Sequence, residues 1–124
     1  MKELNTIQRS DKLNTVHVAD VIGPGHGHHY YEIHRADVPD SSTLTKLLEI
    51  QFQEGPRKDL SSIHGVLDSD LLEIVRDRLE SFQEGEYATP ENEHALRHVT
   101  EALMWMNKRA MDRAARGVLG TNQV

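Results

Sequence analysis

A repeat of apolar residues at alternating three- and four-residue spacing constrains the fold of this chain more than any other feature. The repeat consists of Leu96, Val99, Leu103, Met106 and Ala110. This spacing places the side chains along one side of an α-helix, where they can form the seam of a helix–helix contact. Thr89 and Pro90 precede the repeat and are typical of an N-cap and a first helical position. The sequence therefore predicts a long helix that begins at Thr89-Pro90 and packs against another helix.

A second helical segment lies immediately before this one. Asp68 or Ser69 can cap it, and its first turn is acidic, as the positive end of a helix dipole favours. Gly85 follows its end, and its apolar stripe consists of Leu71, Val75, Leu79 and Phe82. Because the connection over residues 85–88 is short, we expect the two helices to pack antiparallel as a hairpin.

The first half of the chain has the β-branched residues and turn signals of a sheet. Strands are predicted over residues 15–22, 28–36, 43–52 and 62–66, with turns at 23–27 and at 37–42, which contains Pro39. Residues 43–52 also fit a helix, but the alternation at residues 50–53 favours a strand. The prediction is an α+β fold in a single domain, residues 1–124. A small N-terminal antiparallel sheet (15–66) is followed by a C-terminal antiparallel two-helix hairpin (68–117).

Composition excludes several classes of protein. The net charge of -6 argues against binding of DNA or RNA polymers, which requires a broad basic surface. The absence of cysteine excludes disulfides and zinc–thiolate sites. No apolar run is long enough to span a bilayer, and the first residues lack the apolar core of a signal peptide. We therefore expect a cytoplasmic protein with no membrane partner.

Three arginines form a basic stripe near the end of the long helix. Arg109, Arg113 and Arg116 follow one another at helical spacing and share one side. Guanidinium groups bind phosphate with paired hydrogen bonds, so the stripe is a candidate phosphate clamp. The alternative is that these cations only offset the helix dipole. Arg113 occupies the seam position that follows Ala110, where a buried cation needs a partner, and this favours the clamp.

Four other residues have both a structural and a functional interpretation. Phe82 fits a core position at the end of its helix, or a stacking surface for a base. Asn92 assists capping, or reads the edge of an adenine. Arg57 is an exposed loop cation unless an anion lies beside it. Trp105 lies off the seam, which indicates a second contact surface against the sheet or another subunit.

No arrangement of residues predicts catalysis. There is no nucleophile elbow, phosphate-binding loop or dinucleotide fingerprint, so we expect neither an enzyme nor a cofactor. A metal-dependent enzyme built on His26, His28 and His29 is an alternative, since alternate residues of a strand share a face and His17 or His34 could assist. Glycine–histidine turns on protein surfaces explain the same residues without a metal, and no metal site is predicted.

Four blocks of the sequence resemble a known phage family. They are Phe52-Gln53-x-Gly55-Pro56, Asp77-Arg78-Leu79-Glu80-x-Phe82-Gln83, Ala102-Leu103-Met104-Trp105-x-Asn107-x-Arg109, and Asp112-Arg113-x-x-Arg116-Gly117-Val118-x-Gly120-Thr121. The family is the Thoeris anti-defence sponge of type one, whose helical hairpin is shared with the anti-CBASS sponge of type two. The resemblance runs from about residue 23 to the last residue.

The resemblance implies a non-catalytic protein of the bacterial host cytoplasm that sequesters nucleotide second messengers. The messengers are chiefly glycocyclic ADP-ribose isomers, and some members also take cyclic dinucleotides or trinucleotides. It further implies a homo-oligomer, built from dimers into a hexamer. The resemblance assigns Phe82 to the adenine, Asn92 to the same nucleotide, and Arg57, Arg109 and Arg113 to the phosphates.

Helix geometry gives an independent constraint on such a site. Arg109 lies 17 positions (109 − 92) beyond Asn92, which is roughly 26 Å along a continuous helix. This exceeds the length of a ligand of cyclic dinucleotide size, so a site that uses both residues must be composite and must come from two antiparallel hairpins. The alternative is a structural or interaction module, in which the arginines pair with acidic residues of a neighbour such as Glu80 or Glu84.

Overall fold

The computed structural model describes residues 1–38 and 44–124, which form two compact units. The first unit comprises the described residues of Met1–Gly55 together with Leu60–Gly65, and the second comprises Pro56–Asp59 and Val66–Val124. The strands lie in the first unit and both helices in the second. The predicted α+β class, an antiparallel sheet followed by a helical hairpin, is confirmed. Within the described residues, neither helix combines the length and the apolar character that a bilayer crossing requires.

The first unit is a four-stranded sheet in the order β1-β2-β3-β4, and all neighbouring strands are antiparallel. The strands are β1 Lys2–Glu3, β2 Asn14–Val18, β3 Tyr30–Arg35 and β4 Lys46–Gln51. Val18 pairs with Tyr31, and Tyr31 pairs with Ile50, on one face of the sheet. Val18 is 6% exposed and is the one buried apolar residue in the described part of the chain. The core of this unit is therefore small.

The predicted strands at 15–22, 28–36 and 43–52 exist, but each is shorter than predicted. The turn at 23–27 contains a single 3₁₀ turn, Pro24–His26, in which Gly25 has a φ of 71°. The turn predicted at 37–42, with Pro39, falls largely on residues 39–43, which lie outside the described residues.

The strand predicted at 62–66 is wrong. No continuous strand forms there: Ile63 pairs with Glu54 through two backbone hydrogen bonds of 2.9 and 3.0 Å, and Val66 forms a single isolated bridge. Gly65 then lies against the backbone of the preceding segment, where a Cβ would come within 2.2 Å of the Gln51 carbonyl oxygen. The fourth strand is β1 instead, and its two residues are too few to show a period in the sequence.

The second unit contains the helices α1, Asp68–Gln83, and α2, Pro90–Ala115, which contact each other. The predicted start of α2 is confirmed, since Thr89 Oγ1 accepts a 3.0 Å hydrogen bond from the Asn92 backbone N–H. The predicted cap of α1 at Asp68 or Ser69 is wrong by one residue. Leu67 is the N-cap, and its backbone N–H donates to the Asp70 carboxylate at 2.8 Å. The acidic first turn therefore supplies the cap from inside the helix.

The seam predicted on α2 is confirmed by its half-buried residues Leu96, Val99, Leu103, Met106 and Ala110. On α1 the half-buried face includes Leu72, Arg76 and Leu79, whereas Val75 is 41% exposed. The packing of α2 therefore covers only part of the predicted apolar stripe of α1. The apolar residues of α1 extend around a wider arc of the helix than α2 contacts. Leu67 and Ile74 are exposed beside Val75.

Candidate functional site

The end of α2 is fixed by a glycine in the left-handed conformation. Gly117 has a φ of 71°, and its N–H donates to the Ala114 carbonyl at 3.0 Å. The next N–H, that of Val118, donates to the Arg113 carbonyl at 3.0 Å, which completes a Schellman motif. Residues 118–124, the tail, leave the helix from this point.

Two arginines of the stripe hold the tail by its backbone. The Arg113 Nη2 group donates to the carbonyl oxygens of Val118 and Thr121, at 3.1 and 3.0 Å. The Arg116 Nη2 group donates to the main-chain oxygen of Val124. Arg113 therefore finds partners where the seam ends, which explains how a cation occupies that half-buried position.

The tail also contacts the segment that carries Arg57. The Lys58 N–H donates to the Gly120 carbonyl at 3.3 Å, and the Lys58 side chain packs beside Gly120. The segment itself is closed by a turn in which the Asp59 N–H donates to the Pro56 carbonyl at 3.1 Å. The tail is therefore hydrogen-bonded both to the backbone of Lys58, next to Arg57, and to the side chain of Arg113.

An open cleft of about 700 Å³ lies along this end of α2, within the size range of small-molecule sites. Its walls are one side of α2 and residues 121–124 of the tail. All three arginines of the predicted stripe line it, and so does Trp105. We refer to this feature as the arginine cleft.

The arginine cleft has an excess of positive charge. Its one carboxylate, that of Asp112, pairs with Lys108 at 2.8 Å. In the described part of the chain, no aspartate or glutamate side chain pairs with Arg109, Arg113 or Arg116. Other arginines do have acidic partners: Arg35 with Asp37, Arg76 with Glu80 and Arg97 with Glu93. In a chain of net charge -6 this cluster of unneutralised guanidiniums favours an anionic ligand.

The opposite end of the hairpin carries Phe82 and Asn92. Phe82 is half-buried, with its ring edge-to-face with Tyr87 and the Arg78 guanidinium 5.2 Å from its centre. The Asn92 side-chain amide donates to the Tyr87 carbonyl at 3.3 Å. Asn92 therefore orders the connection between the helices in addition to any contact with a ligand.

The structure separates the predicted site residues into two groups. Arg109 and Arg113 lie in the arginine cleft, and the backbone next to Arg57 is bonded to the tail. Phe82 and Asn92 lie at the other end, and α2 runs unbroken from Pro90 to Ala115 between them. The separation of roughly 26 Å therefore holds within one chain. The assignment of these five residues to a ligand stays a prediction.

Trp105 lines the arginine cleft, but the sequence pattern predicted that it lies on a second contact surface and not in the ligand site. The available signal was its spacing, because Trp105 and Arg109 are one helical turn apart on the same side. The tail was also missed, although Gly117 and Gly120 are typical of residues that end a helix and reverse the chain.

Two of the three candidate metal-binding histidines, His28 and His29, form local contacts. His28 lies 3.3 Å from the Asp20 carboxylate, and His29 Nε2 lies 2.8 Å from the Pro24 carbonyl oxygen. Over residues 1–38 and 44–124, no group of three or more histidine, aspartate or glutamate side chains is placed to hold a metal ion.

Comparison with known proteins gives two matches. The family model described as Acb2/Tad1, hairpin domain, matches residues 45–111, which is more than half of the chain. The chain is also similar to Thoeris anti-defense 1 of Bacillus phage SBSphiJ7, with 42% identity over 78 residues. The aligned part is 63% of this chain and 54% of the relative, so the chain spans about half the length of the curated relative that it matches. The predicted family is therefore confirmed, and the chain belongs to the Acb2/Tad1 hairpin-domain family.

Proposed function

We propose that this chain is a phage anti-defence protein that binds cyclic ADP-ribose-type second messengers and retains them without cleavage. Glycocyclic ADP-ribose is the proposed principal ligand, and cyclic dinucleotides or trinucleotides are proposed as further ligands. Retention lowers the concentration of the free messenger in the host cytoplasm by mass action. An effector of Thoeris or CBASS-like immunity then stays below its activation threshold.

The observation that carries this proposal is the arginine cleft. Arg109, Arg113 and Arg116 line one concave surface and have no aspartate or glutamate partner among the described residues. Phosphate oxygens can bind guanidinium groups through charge-assisted, paired hydrogen bonds. Membership of the hairpin-domain family and similarity to a protein named for anti-defence against Thoeris support the same proposal.

The proposed site is composite and belongs to a homo-oligomer. Because α2 is continuous, Phe82 and Arg109 of one chain are too far apart to hold one nucleotide. In an antiparallel pair of hairpins, Phe82 and Asn92 of one copy meet Arg57, Arg109 and Arg113 of the other, which gives two symmetric sites per dimer. We propose that such dimers assemble further into a hexamer.

Recovery of the ligand tests retention against cleavage. The protein is incubated with glycocyclic ADP-ribose, freed of excess ligand by gel filtration and heated, and the released compound is analysed by chromatography and mass spectrometry. We expect the intact ligand in an amount comparable to that of the protein. A hydrolysed product would contradict a non-catalytic function, and the absence of any bound compound would contradict binding.

A non-catalytic interaction module without a small ligand is the second candidate. The exposed side chains of Leu67, the N-cap of α1, and of Ile74 and Val75 within α1 favour it, because an uncovered apolar arc is typical of an assembly surface. Thermal denaturation with a panel of cyclic nucleotides separates the two candidates, since a ligand that binds the folded state raises the Tm. An unchanged Tm with every member of the panel would favour the module.

A further inference from the structure

Trp105 is the only tryptophan of the chain, and 65% of its surface is exposed. It lines the arginine cleft beside Arg109 and Arg113. Burial of an indole ring is favourable because it removes a large apolar surface from water. An exposed aromatic side chain in a concave region therefore indicates a binding site. The position of Trp105 therefore raises the question of what covers the ring.

The spacing of the residues along α2 places the ring next to the cations of the cleft. Trp105 precedes Arg109 by four residues and Arg116 by eleven, so all three lie on the same side of the helix. The separation of Trp105 and Arg109 along the helix axis is about 6 Å. This separation is of the same order as that between the base and the phosphate of one nucleotide.

The charges around the ring indicate the kind of molecule that covers it. An apolar partner surface on Trp105 would also remove water from Arg109, whose guanidinium has no hydrogen-bond or ion-pair partner in the described residues. A ligand that combines a planar ring with an anionic group satisfies both the indole and the guanidiniums. The chemistry of the cleft therefore matches a nucleotide better than an apolar protein surface.

We propose that Trp105 is a ligand-binding residue that stacks on the planar base of the nucleotide whose phosphates are held by Arg109 and Arg113. This inference rests on the proposed function and adds to it a second stacking surface. Phe82 of one copy and Trp105 of the other enclose the same base from opposite faces. A site of this kind selects base-containing phosphate esters over inorganic pyrophosphate.

The single tryptophan allows a direct test in the unmodified protein. Acrylamide quenching of Trp105 fluorescence is measured without ligand, with saturating glycocyclic ADP-ribose, and with pyrophosphate at the same concentration. We expect strong quenching in the first and third samples and protection in the second. Protection in the absence of ligand would show that another copy of the chain covers the ring, and it would overturn the inference.

Calorimetry with variants tests the contact itself. Trp105→Leu is expected to weaken glycocyclic ADP-ribose binding by about 5- to 150-fold, which corresponds to the roughly 1–3 kcal/mol of one base–aromatic stack. Trp105→Phe is expected to restore most of the affinity, because it retains a stacking ring. Met104→Ala is the matched control, since Met104 is adjacent and 66% exposed but lies outside the arginine cleft.

The oligomeric state of each variant is measured by light scattering in parallel. Wild-type affinity in Trp105→Leu, or a loss that occurs only together with a loss of assembly, would overturn the inference and leave the proposed function standing. If the wild type itself does not bind glycocyclic ADP-ribose, the proposed function fails and this inference fails with it.

Discussion

Arg109 and Arg113 lie one helical turn apart and line the same cleft, but their contacts differ. No described residue forms a hydrogen bond or ion pair with the Arg109 guanidinium, whereas Arg113 donates two hydrogen bonds to tail carbonyls. Arg109 is therefore available to a ligand without any rearrangement. Arg113 is held in position by the tail and has a structural role as well.

Substitution of Arg109 tests the clamp without disturbing the fold. Arg109→Ala is expected to weaken binding of glycocyclic ADP-ribose by about 1.5–3 kcal/mol, the range for a hydrogen bond to a charged group. Isothermal titration calorimetry measures the change. Arg97→Ala is the matched control, because Arg97 lies on the same helix outside the arginine cleft and pairs with Glu93. Equal affinities in the two variants would refute the clamp.

Substitution of Arg113 is expected to lower stability as well as affinity. Arg113→Ala removes both hydrogen bonds to the Val118 and Thr121 carbonyls and leaves the tail without this anchor. We expect a loss of about 1–3 kcal/mol in the free energy of unfolding, measured by urea denaturation. Arg109→Ala, in contrast, should change it by no more than about 0.5 kcal/mol, as is usual for exposed positions. A stability of Arg113→Ala equal to that of the wild type would contradict the anchoring role.

At the scale of elements, the polar face of the sheet contains a coupled group of titratable side chains. His34 Nε2 lies 2.8 Å from Glu32 Oε1, and His34 Nδ1 lies 2.8 Å from Thr45 Oγ1. The His17 ring contacts the His34 ring edge-to-face, with 5.1 Å between their centres. The hydrogen bond from His34 is the main reason that the pKa of Glu32 is lowered from its ordinary value of 4.5, and the charge of Lys46 acts in the same direction.

This lowered pKa predicts how the stability contribution of Glu32 depends on pH. The folded state holds the proton of Glu32 less tightly than the unfolded state, so the carboxylate stabilises the fold above its unfolded pKa. The contribution is lost as the pH falls through the folded-state pKa. We therefore expect Glu32→Gln to lower the urea midpoint at pH 7 and to have a smaller effect at about pH 3.

The double variant with His34→Gln provides the control for this prediction. In a His34→Gln background the principal cause of the shift is absent, so the pH dependence of the Glu32→Gln effect should largely disappear. An effect of Glu32→Gln that is the same at both pH values in the wild-type background would show that the hydrogen bond does not shift the titration.

The elements that the sequence predicted well are those with a strong local signal. Thr89 and Pro90 marked the start of α2 because a side-chain cap and a proline act within one turn of the chain. The cap at Leu67 could not be predicted in this way, because the accepting carboxylate belongs to Asp70, inside the helix. The strand β1 was missed because two residues show no period, and its existence depends on pairing with distant residues of β2.

At the scale of the whole molecule, the sequence indicated the arginines of the cleft but not the tail that lines its other side. The helical spacing of Arg109, Arg113 and Arg116 follows from the period of α2 alone. The cleft also needs the tail to lie beside these arginines, and this depends on hydrogen bonds to carbonyl groups that any residue could supply. Gly117 and Gly120 indicated that the chain reverses after α2, but no side-chain pattern indicated where the tail lies.

The composite site makes a prediction about mixed assemblies that no single-chain site would make. Phe82→Ala and Arg109→Ala are each expected to weaken binding at every site when all chains carry the same substitution. In a dimer that contains one chain of each kind, one site receives both substituted residues and the other receives the intact Phe82 and the intact Arg109. The mixed dimer therefore regains one functional site of its two.

Co-expression of the two variants at equal amounts, with different affinity tags, tests this prediction. Random pairing gives mixed dimers in half of the cases, so about a quarter of all sites should bind glycocyclic ADP-ribose with wild-type affinity. Calorimetry measures this fraction as the stoichiometry of the tight phase. If both residues acted within one chain, every site would lack one of them and no tight phase would appear. The recovery of binding from two defective chains would therefore show that each ligand is shared between two copies of the hairpin.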